Sequence, residues 1–597
     1  MFVPKYSDLF MDWLAEAGYT HCFYVSGGNV MHLLESASHR FTCIPFVHEV
    51  GATIAADYFN EISKAGQKSF VIVTAGPGLT NAITGIVGSW TDSRELLVIG
   101  GQAKSSELSK GKFRQIGFQE IDGVTLCSSV TKAAFRVDSQ ISKKRLFELI
   151  NLSKSPRKGP VFIEVCLDVS TQNRNDLEDD RISYDLQLFD NNVFNQNEMI
   201  TISQEISKLI SNSSRPLILI GGGISRDTNL KPLLDLNIPI ATTFNGADRV
   251  GIDYEYYCGK PNWYGSRWSN ILIQQADLVV ALGTRLGIMQ VGYNWTAFAP
   301  KAKIIQVEVD VTETTKGFPK VDSAFLADCN RIVEQIPTIL ESKTKNMFTE
   351  WKNFIQMVRS DLNLPEKSNK AGGDYVESSS FIFNLMKITN GNEVLIPCSS
   401  GAAAYESAMR IISNKDRQLM ITSHAMASMG YGLSGAIGAA LAHPDKRTIV
   451  FEGDGGFAQN LQEIGTAVVN KLDLKIFIMD NSGYQSIRGN QKNSFAGHYV
   501  GCDISTGLGL PNWEQIGMAF NAKTFLVTAK SAFSEEFLEL FNEKGLVVFI
   551  VKIDPEQTYW PRLMSSTDLN GNVVSSPLHQ MHPPLNAIET QKYIKYL

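Results

Sequence analysis

The chain of 597 residues contains no Cys-x-x-Cys pair; its eight cysteines stand apart at 22, 43, 127, 166, 258, 329, 398 and 502. That scatter disfavours both a zinc cage and a disulfide framework. An excess of one charge is also missing. Lys plus Arg number 55 against 61 Asp plus Glu, a formal charge of −6. No basic run forms a patch for a phosphate backbone, so nucleic acid is not an expected partner. Apolar runs such as Leu546–Val551 fall far short of the roughly 20 residues a membrane helix needs. The opening Met1-Phe2-Val3-Pro4-Lys5 lacks a charged segment leading into an apolar one. Neither a leader nor a membrane anchor is therefore expected, and a cytoplasmic location is. What the chain does have is core material, with 44% hydrophobic and only 19% charged residues. At roughly 100–200 residues per domain this is three or four domains, or two large ones.

Short β-branched runs alternate with longer amphipathic stretches, the pattern of parallel α/β units. We expect three doubly wound parallel-sheet domains, over 1–180, 195–345 and 370–555, with a tail over 556–597. Strands are expected at His21–Val25, Ser69–Thr74, Leu96–Ile99 and Val161–Val165 in the first block. In the second they fall at Leu217–Ile220, Ile238–Thr242, Leu278–Ala281 and Ile304–Val309. The third has Val394–Ile396, Arg447–Phe451, Lys475–Met479 and Val547–Val551. The polar, acidic stretch Thr171–Asn195 reads as a linker, and Glu366–Gly373 as a second connector. The Pro-, Ser- and Asn-rich tail is expected on the surface.

Chemistry concentrates in Arg447–Arg488. A buried strand ends in Gly453-Asp454-Gly455-Gly456, a helix is expected over Phe457–Lys471, and a second strand ends in Asp480-Asn481-Ser482-Gly483-Tyr484. Ligands of parallel sheets bind at the carboxyl ends of the strands, so these two loops can converge. Glycines allow a phosphate to approach the backbone, and a helix amino terminus offers free N–H groups. Asp454 and the Asn481 side-chain oxygen, 27 positions later, are hard ligands suited to octahedral Mg²⁺, with the Gly483 carbonyl as a third. Alone, Gly-Asp-Gly is an ordinary turn.

The ordered set of strand, Gly-Asp-Gly-Gly, helix, strand and Asn resembles the signature of thiamine diphosphate (ThDP) enzymes. The resemblance implies a carboxyl group against the cofactor's pyrimidine ring. Val47-His48-Glu49-Val50-Gly51-Ala52 supplies one in Glu49, at the start of an expected helix; His48 reads as structural. Thr74-Ala75-Gly76-Pro77-Gly78-Leu79-Thr80-Asn81 resembles the pyrimidine-side loop. Arg114-Gln115-Ile116-Gly117-Phe118-Gln119-Glu120 resembles the loop that acetolactate synthases bring over the reacting carbon. The implied catalytic set is Glu49, Phe118 and Gln119. The implied cofactor contacts are Gly28, Thr74, Pro77, Asn81, Ser399, Ser400, Met429, Gly453, Gly455, Gly456, Asn481, Gly483 and Tyr484, with Asp454, Asn481 and Gly483 on the metal. Ser428-Met429-Gly430-Tyr431-Gly432 is similar to the segment whose bulky residue, here Met429, bends the cofactor; by composition alone a Met there is core filler. His424 lies just upstream, within reach of the site. A homodimer, or a homotetramer of dimers, with the first and third blocks meeting across the subunit interface, is also implied.

In acetolactate synthases the central domain holds FAD on the equivalents of Leu217-Ile-Leu-Ile220-Gly221-Gly222-Gly223 and Leu282-Gly283-Thr284-Arg285, while other relatives keep the domain without flavin. FAD stays open here, since Gly-x-Gly-x-x-Gly is incomplete. Three departures separate this chain from the acetolactate synthase group. Leu167 stands where a Lys is usual, Asn490 at an acceptor-pocket Trp, and the loop after Leu282 lacks paired aspartates. The expected activity is a carboligase that decarboxylates a 2-oxo acid such as pyruvate and passes the fragment to a carbonyl acceptor. A wider, more polar acceptor pocket suggests a sugar-like carbonyl compound. The rivals are a simple 2-oxo acid decarboxylase, a non-catalytic ThDP- or flavin-binding homologue, and a flavin oxidase.

Overall fold

The computed structural model describes residues 5–173, 194–340, 347–567 and 573–597. Three parallel sheets form the frame. The first runs in the order Thr42–Pro45, His21–Tyr24, Ser69–Val73, Leu96–Gln102, Pro160–Cys166, Ala133–Val137. The central sheet runs Ser323–Leu326, Lys303–Glu308, Leu278–Leu282, Pro216–Ile220, Ile240–Thr242. The third runs Leu419–Met420, Glu393–Ile396, Arg447–Gly453, Leu474–Asp480, Val547–Lys552, Lys523–Val527. Inner strands such as Ser69–Val73, Leu278–Leu282 and Leu474–Asp480 are buried along their whole length, because helices cover both faces of a parallel sheet. The central core also takes in the helix Thr349–Leu362, through Trp351, Phe354, Ile355 and Val358. No helix among the described residues is long and apolar enough to cross a membrane.

Two helices join the outer domains. Glu49–Ile62 packs on Tyr431–Ala442 over small residues, and one apolar cluster runs through Ala52, Ala55 and Tyr58 into Ala436, Ile437 and Val450. The approach is close: a Cβ on Gly438 would lie 2.0 Å from the Ala55 carbonyl oxygen, and one on Gly435 2.5 Å from the Tyr58 ring. Buried charges brace the same junction. Arg94 donates to Asp57 at 3.0 Å and to the Thr422 carbonyl at 2.5 Å. Arg226 of the central domain donates to Glu61 at 2.6 Å, to Asp248 at 2.8 Å and to the Met420 carbonyl at 3.0 Å, so it touches all three domains.

Two expectations change. The helix expected over Phe457–Lys471 is broken into Asp454–Phe457, a tight turn Leu461–Glu463 and Ile464–Val469. Asn460 leaves helical geometry (φ −133°, ψ 26°) and its amide donates to the Gly430 carbonyl at 2.8 Å. The tail is not a surface appendage. Tyr559, Leu563, Leu578, Met581 and Tyr593 are buried, the last four in the central core. Arg267 donates to the Met581 and Pro583 carbonyls at 3.3 and 2.8 Å, and Gln275 to that of Tyr593 at 2.8 Å. A few apolar anchors spaced through polar residues bind the tail, and average composition hides them. The linker expected over Thr171–Asn195 lies outside the described residues except at its ends, where Thr171 closes a helix and Asn195 caps Gln196–Asn212.

Candidate functional site

The third sheet places the predicted metal ligands side by side. Arg447–Gly453 and Leu474–Asp480 are adjacent, with Gly453 opposite Met479, so Asp454 and Asp480 emerge together at the carboxyl edge. Asp454 is buried and begins a short helix. Its two oxygens accept from the N–H of Gly455 at 2.7 Å and of Gly483 at 2.9 Å. Burial, and then the charge of Asp480, push its carboxyl up to about 7. Asn481 is buried as well, and its Oδ1 has no hydrogen-bond partner among the described residues. An acidic oxygen short of charge compensation and an orphaned amide oxygen form a donor set that a hard cation satisfies. Gly483 (φ 139°) must be glycine, since a Cβ would meet the Cys502 carbonyl at 2.1 Å; at Gly455 a Cβ would meet the Tyr484 ring at 2.2 Å. Gly453 faces open space, and Gly456 lies beside Glu452.

A second loop is clamped to this edge. Ser399 donates from its hydroxyl to the Ser428 carbonyl, Gln459 approaches the Met429 sulfur at 3.6 Å, and Ser400 immediately precedes the helical turn Gly401–Glu406. Glu452, which sequence reasoning passed over, accepts from the N–H of Gly432 at 3.1 Å and Leu433 at 3.0 Å. Burial pushes its carboxyl up to about 7 against those bonds. A Glu inside the apolar run Thr448–Phe451 and its flanks was the available signal. Met429 is thus held on a loop fixed from three directions.

The first domain gathers a separate group. Glu49 opens its helix, buried, and its Oε2 accepts from Asn81 Nδ2 at 3.0 Å. Thr74 is buried with its hydroxyl unpartnered among the described residues. A Cβ on Gly78 would lie 3.0 Å from Thr74 and 3.5 Å from Glu49 Oε1, so Thr74, Asn81 and Glu49 share one wall. Pro77 occupies the first turn of the helix Pro77–Thr91. Gly28 faces open space, while its neighbour Gly27 sits against Thr74. His48 caps the Glu49 helix, its Nδ1 accepting from Val50 N–H at 3.3 Å, and its own N–H donates to Glu463 at 3.0 Å.

The loop carrying Phe118 and Gln119 reaches this wall. Gly76 (φ 61°) lies so close that a Cβ would meet the Gln119 carbonyl at 2.5 Å, and Gln119 itself has positive φ (59°), uncommon for a residue with a side chain. Glu120 folds the loop by accepting from Ser109, Ile116 and Gly117 N–H at 2.5, 2.8 and 3.1 Å. Burial alone would raise its carboxyl, but those bonds outweigh it and hold it at about 2. Phe118 is 78% exposed, Phe113 of the same loop 64%, and Val47, two residues before Glu49, 59%. Among the described residues no hydrogen bond joins the Glu49 group to the Asp454 group.

A cleft of about 1390 Å³ opens between the central domain and its neighbours, lined by Gly222, Gly223, Asn245, Thr284, Arg285, Glu308 and His424, among others. Gly221 and Gly223 are packed on Gly283, so part of the glycine run serves loop contact. His424 is placed here. It pairs with the Tyr405 hydroxyl at 2.5 Å and packs edge-on to Phe244, and burial pushes its imidazole down to about 4.

Three families match the chain: the thiamine pyrophosphate enzyme N-terminal TPP binding domain over residues 4–126, the central domain over 203–336 and the C-terminal TPP binding domain over 401–551. The chain is 27% identical over 571 residues to an acetolactate synthase large subunit of Porphyra purpurea, covering 92% of each. It is 30% identical over 494 residues to acetolactate synthase 1, chloroplastic, of Nicotiana tabacum, covering 80% of this chain and 70% of that one. Similarity to the acetolactate synthase isozyme 2 large subunit of Escherichia coli K12 is 26% over 522 residues, covering 86% and 89%.

Proposed function

Because this chain belongs to the thiamine diphosphate-dependent enzymes, in their acetolactate synthase-like group, we propose that it is a carboligase acting on a 2-oxo acid, with pyruvate as first candidate. The donor loses CO₂, and its two-carbon fragment forms a new C–C bond to the carbonyl carbon of an acceptor, giving a branched hydroxy-ketone. The observation that carries this reading is the buried, unpartnered Asn481 Oδ1 on the loop whose Gly483 N–H donates to Asp454, in a chain that also keeps a buried Glu49. Asp454, Asn481 and the Gly483 carbonyl would hold Mg²⁺ and through it the diphosphate. Thr74, Asn81 and Glu49 would hold the pyrimidine ring, and Met429 would support the thiazolium from below. When bound, the cofactor supplies the electron sink for the C–C bond that breaks as CO₂ leaves. Glu49 holds a proton against the ring, and Gln119 and Phe118 orient the substrate and exclude water.

A second copy of the chain would bring its Asp454 group against Glu49, which accounts for the exposed Val47, Phe113 and Phe118; the active unit is then at least a dimer. The cytoplasm is the proposed compartment. The central cleft has the volume for an adenine dinucleotide. Asn245 Oδ1 is buried and unpartnered at its wall, and Glu308 closes the strand Lys303–Glu308 where dinucleotide folds place an acid for ribose hydroxyls. FAD is the proposed occupant, and a flavin spectrum of the purified protein checks it. Leu167 and the exposed Asn490 favour an acceptor larger and more polar than pyruvate, such as a nucleotide-linked keto-sugar.

The test is turnover of pyruvate with ThDP and Mg²⁺, quantifying CO₂, acetolactate and acetaldehyde, with and without a keto-sugar. CO₂ matched by a ligated product supports the reading. Acetaldehyde alone replaces it with a simple decarboxylase, and no turnover with any acceptor overturns it.

A further inference from the structure

The tail does more than bind the central domain; it also grips Asn481. The Arg488 guanidinium donates to the Asn481 carbonyl at 3.3 Å and to the Pro555 carbonyl at 2.7 Å, bridging the metal loop to the start of the tail. Four residues further on, Tyr559 is 2% exposed, and its hydroxyl accepts from Asn481 Nδ2 at 3.3 Å. The tyrosine is fixed in turn: Arg410 donates to its carbonyl at 3.4 Å, and the next residue, Trp560, exchanges two hydrogen bonds with the Asn369 amide, at 2.7 and 2.8 Å.

An asparagine amide can present either its oxygen or its nitrogen, and only the oxygen can ligate a cation. With Nδ2 turned to the Tyr559 hydroxyl, Oδ1 is left buried and unpartnered, on the side away from the tyrosine. We infer that Tyr559 is a positioning residue of the metal site: its hydroxyl accepts from Asn481 Nδ2, so the buried amide is satisfied when its oxygen faces the cation, and the tail thereby completes the cofactor site. This inference rests on the metal-site reading proposed above. Tyr559 touches neither cation nor cofactor in this scheme; it acts through Asn481.

The test is isothermal titration of the full chain with Mg²⁺ at fixed ThDP, using wild type, Tyr559→Phe, Asn481→Asp and the double variant, each with its melting temperature. Tyr559→Phe keeps the ring in its pocket and removes the acceptor. The apparent Mg²⁺ dissociation constant is expected to rise about ten-fold, the size of one unsatisfied buried donor. A carboxylate has two equivalent oxygens and no wrong face, so in the Asn481→Asp background the same change should shift Mg²⁺ affinity less than about three-fold. Unchanged Mg²⁺ affinity in a folded Tyr559→Phe protein overturns the inference, and so does an equal shift in both backgrounds, which would mark Tyr559 as a plain anchor. Asn481→Ala separates the two levels. If it leaves Mg²⁺-dependent ThDP binding intact, the metal-site reading itself fails.

Discussion

Replacing Gly438 by Ala adds one methyl group where two helices already touch. The new Cβ would lie 2.0 Å from the Ala55 carbonyl oxygen, whereas an ordinary contact needs about 3.5 Å, so the helices must part by roughly 1.5 Å. Neither side can yield by a rotamer change, since the contact is backbone to backbone. Overpacking of this kind costs about 1–3 kcal/mol, partly offset by the ~1 kcal/mol that Ala gains over Gly in a helix. A net loss of up to about 2 kcal/mol corresponds to a melting temperature lower by up to roughly 8 °C for domains of this size. The functional effect should exceed the stability effect. Glu49 opens the displaced helix, and a shift of about 1 Å in a reacting group costs on the order of 100-fold in rate. Gly489→Ala is the control: Gly489 lies in the helix Gln485–Ser494 and has open space around it, so the same change there should leave stability equal or higher. Scanning calorimetry and ThDP-dependent turnover of both variants decide the point. Equal melting temperatures for the two, or a Gly438→Ala enzyme at full rate, would refute the argument that this contact sets the position of Glu49.

Gly455→Ala should displace the Tyr484 ring and lower Mg²⁺–ThDP affinity by at least about ten-fold in isothermal titration, because octahedral Mg²⁺ tolerates little distortion. Arg267→Ala strips the Met581 and Pro583 carbonyls and Glu366 of a buried donor; a loss of about 3 kcal/mol is expected, with limited proteolysis moving to sites beyond Asp554. His424 is held neutral in the fold, about 4 against an ordinary value of 6.5. The unfolded chain therefore takes up its proton first, and stability falls as pH drops from 6.5 to 4. His424→Phe should remove one proton from that slope, at most about 1.4 kcal/mol per pH unit, in urea titrations at stepped pH.

The parts of the fold that were legible in sequence are those whose residues are buried on both faces. Every expected strand is present, with ends shifted by at most three residues. The tail adds four short strands in two antiparallel pairs; within the three parallel sheets, the five strands not expected from sequence, Thr42–Pro45, Ala133–Val137, Ser323–Leu326, Leu419–Met420 and Lys523–Val527, all lie at sheet edges. There one face is open, so a strand such as Ala133–Val137 or Ser323–Leu326 alternates buried with partly exposed positions and offers no continuous apolar run. The site followed the same logic. Asp454, Asn481 and Glu49 stand in local motifs and could be named, while Glu452, Glu463 and Tyr559 act through partners 20, 415 and 78 positions away. Only tertiary structure brings those pairs together. The tail was misjudged for a related reason, since its anchors meet Arg267 and Gln275 across more than 300 positions.

The central claim is that Glu49 activates the cofactor whose diphosphate end is held by the Asp454 group. The most direct measurement is pyruvate-dependent CO₂ release by Glu49→Gln beside its ThDP affinity at saturating Mg²⁺. Gln can still meet Asn81 but cannot exchange a proton with the ring, so binding should stay within a few-fold while turnover falls by about 10²–10⁴. Full turnover in a Glu49→Gln protein that binds ThDP normally would contradict the account.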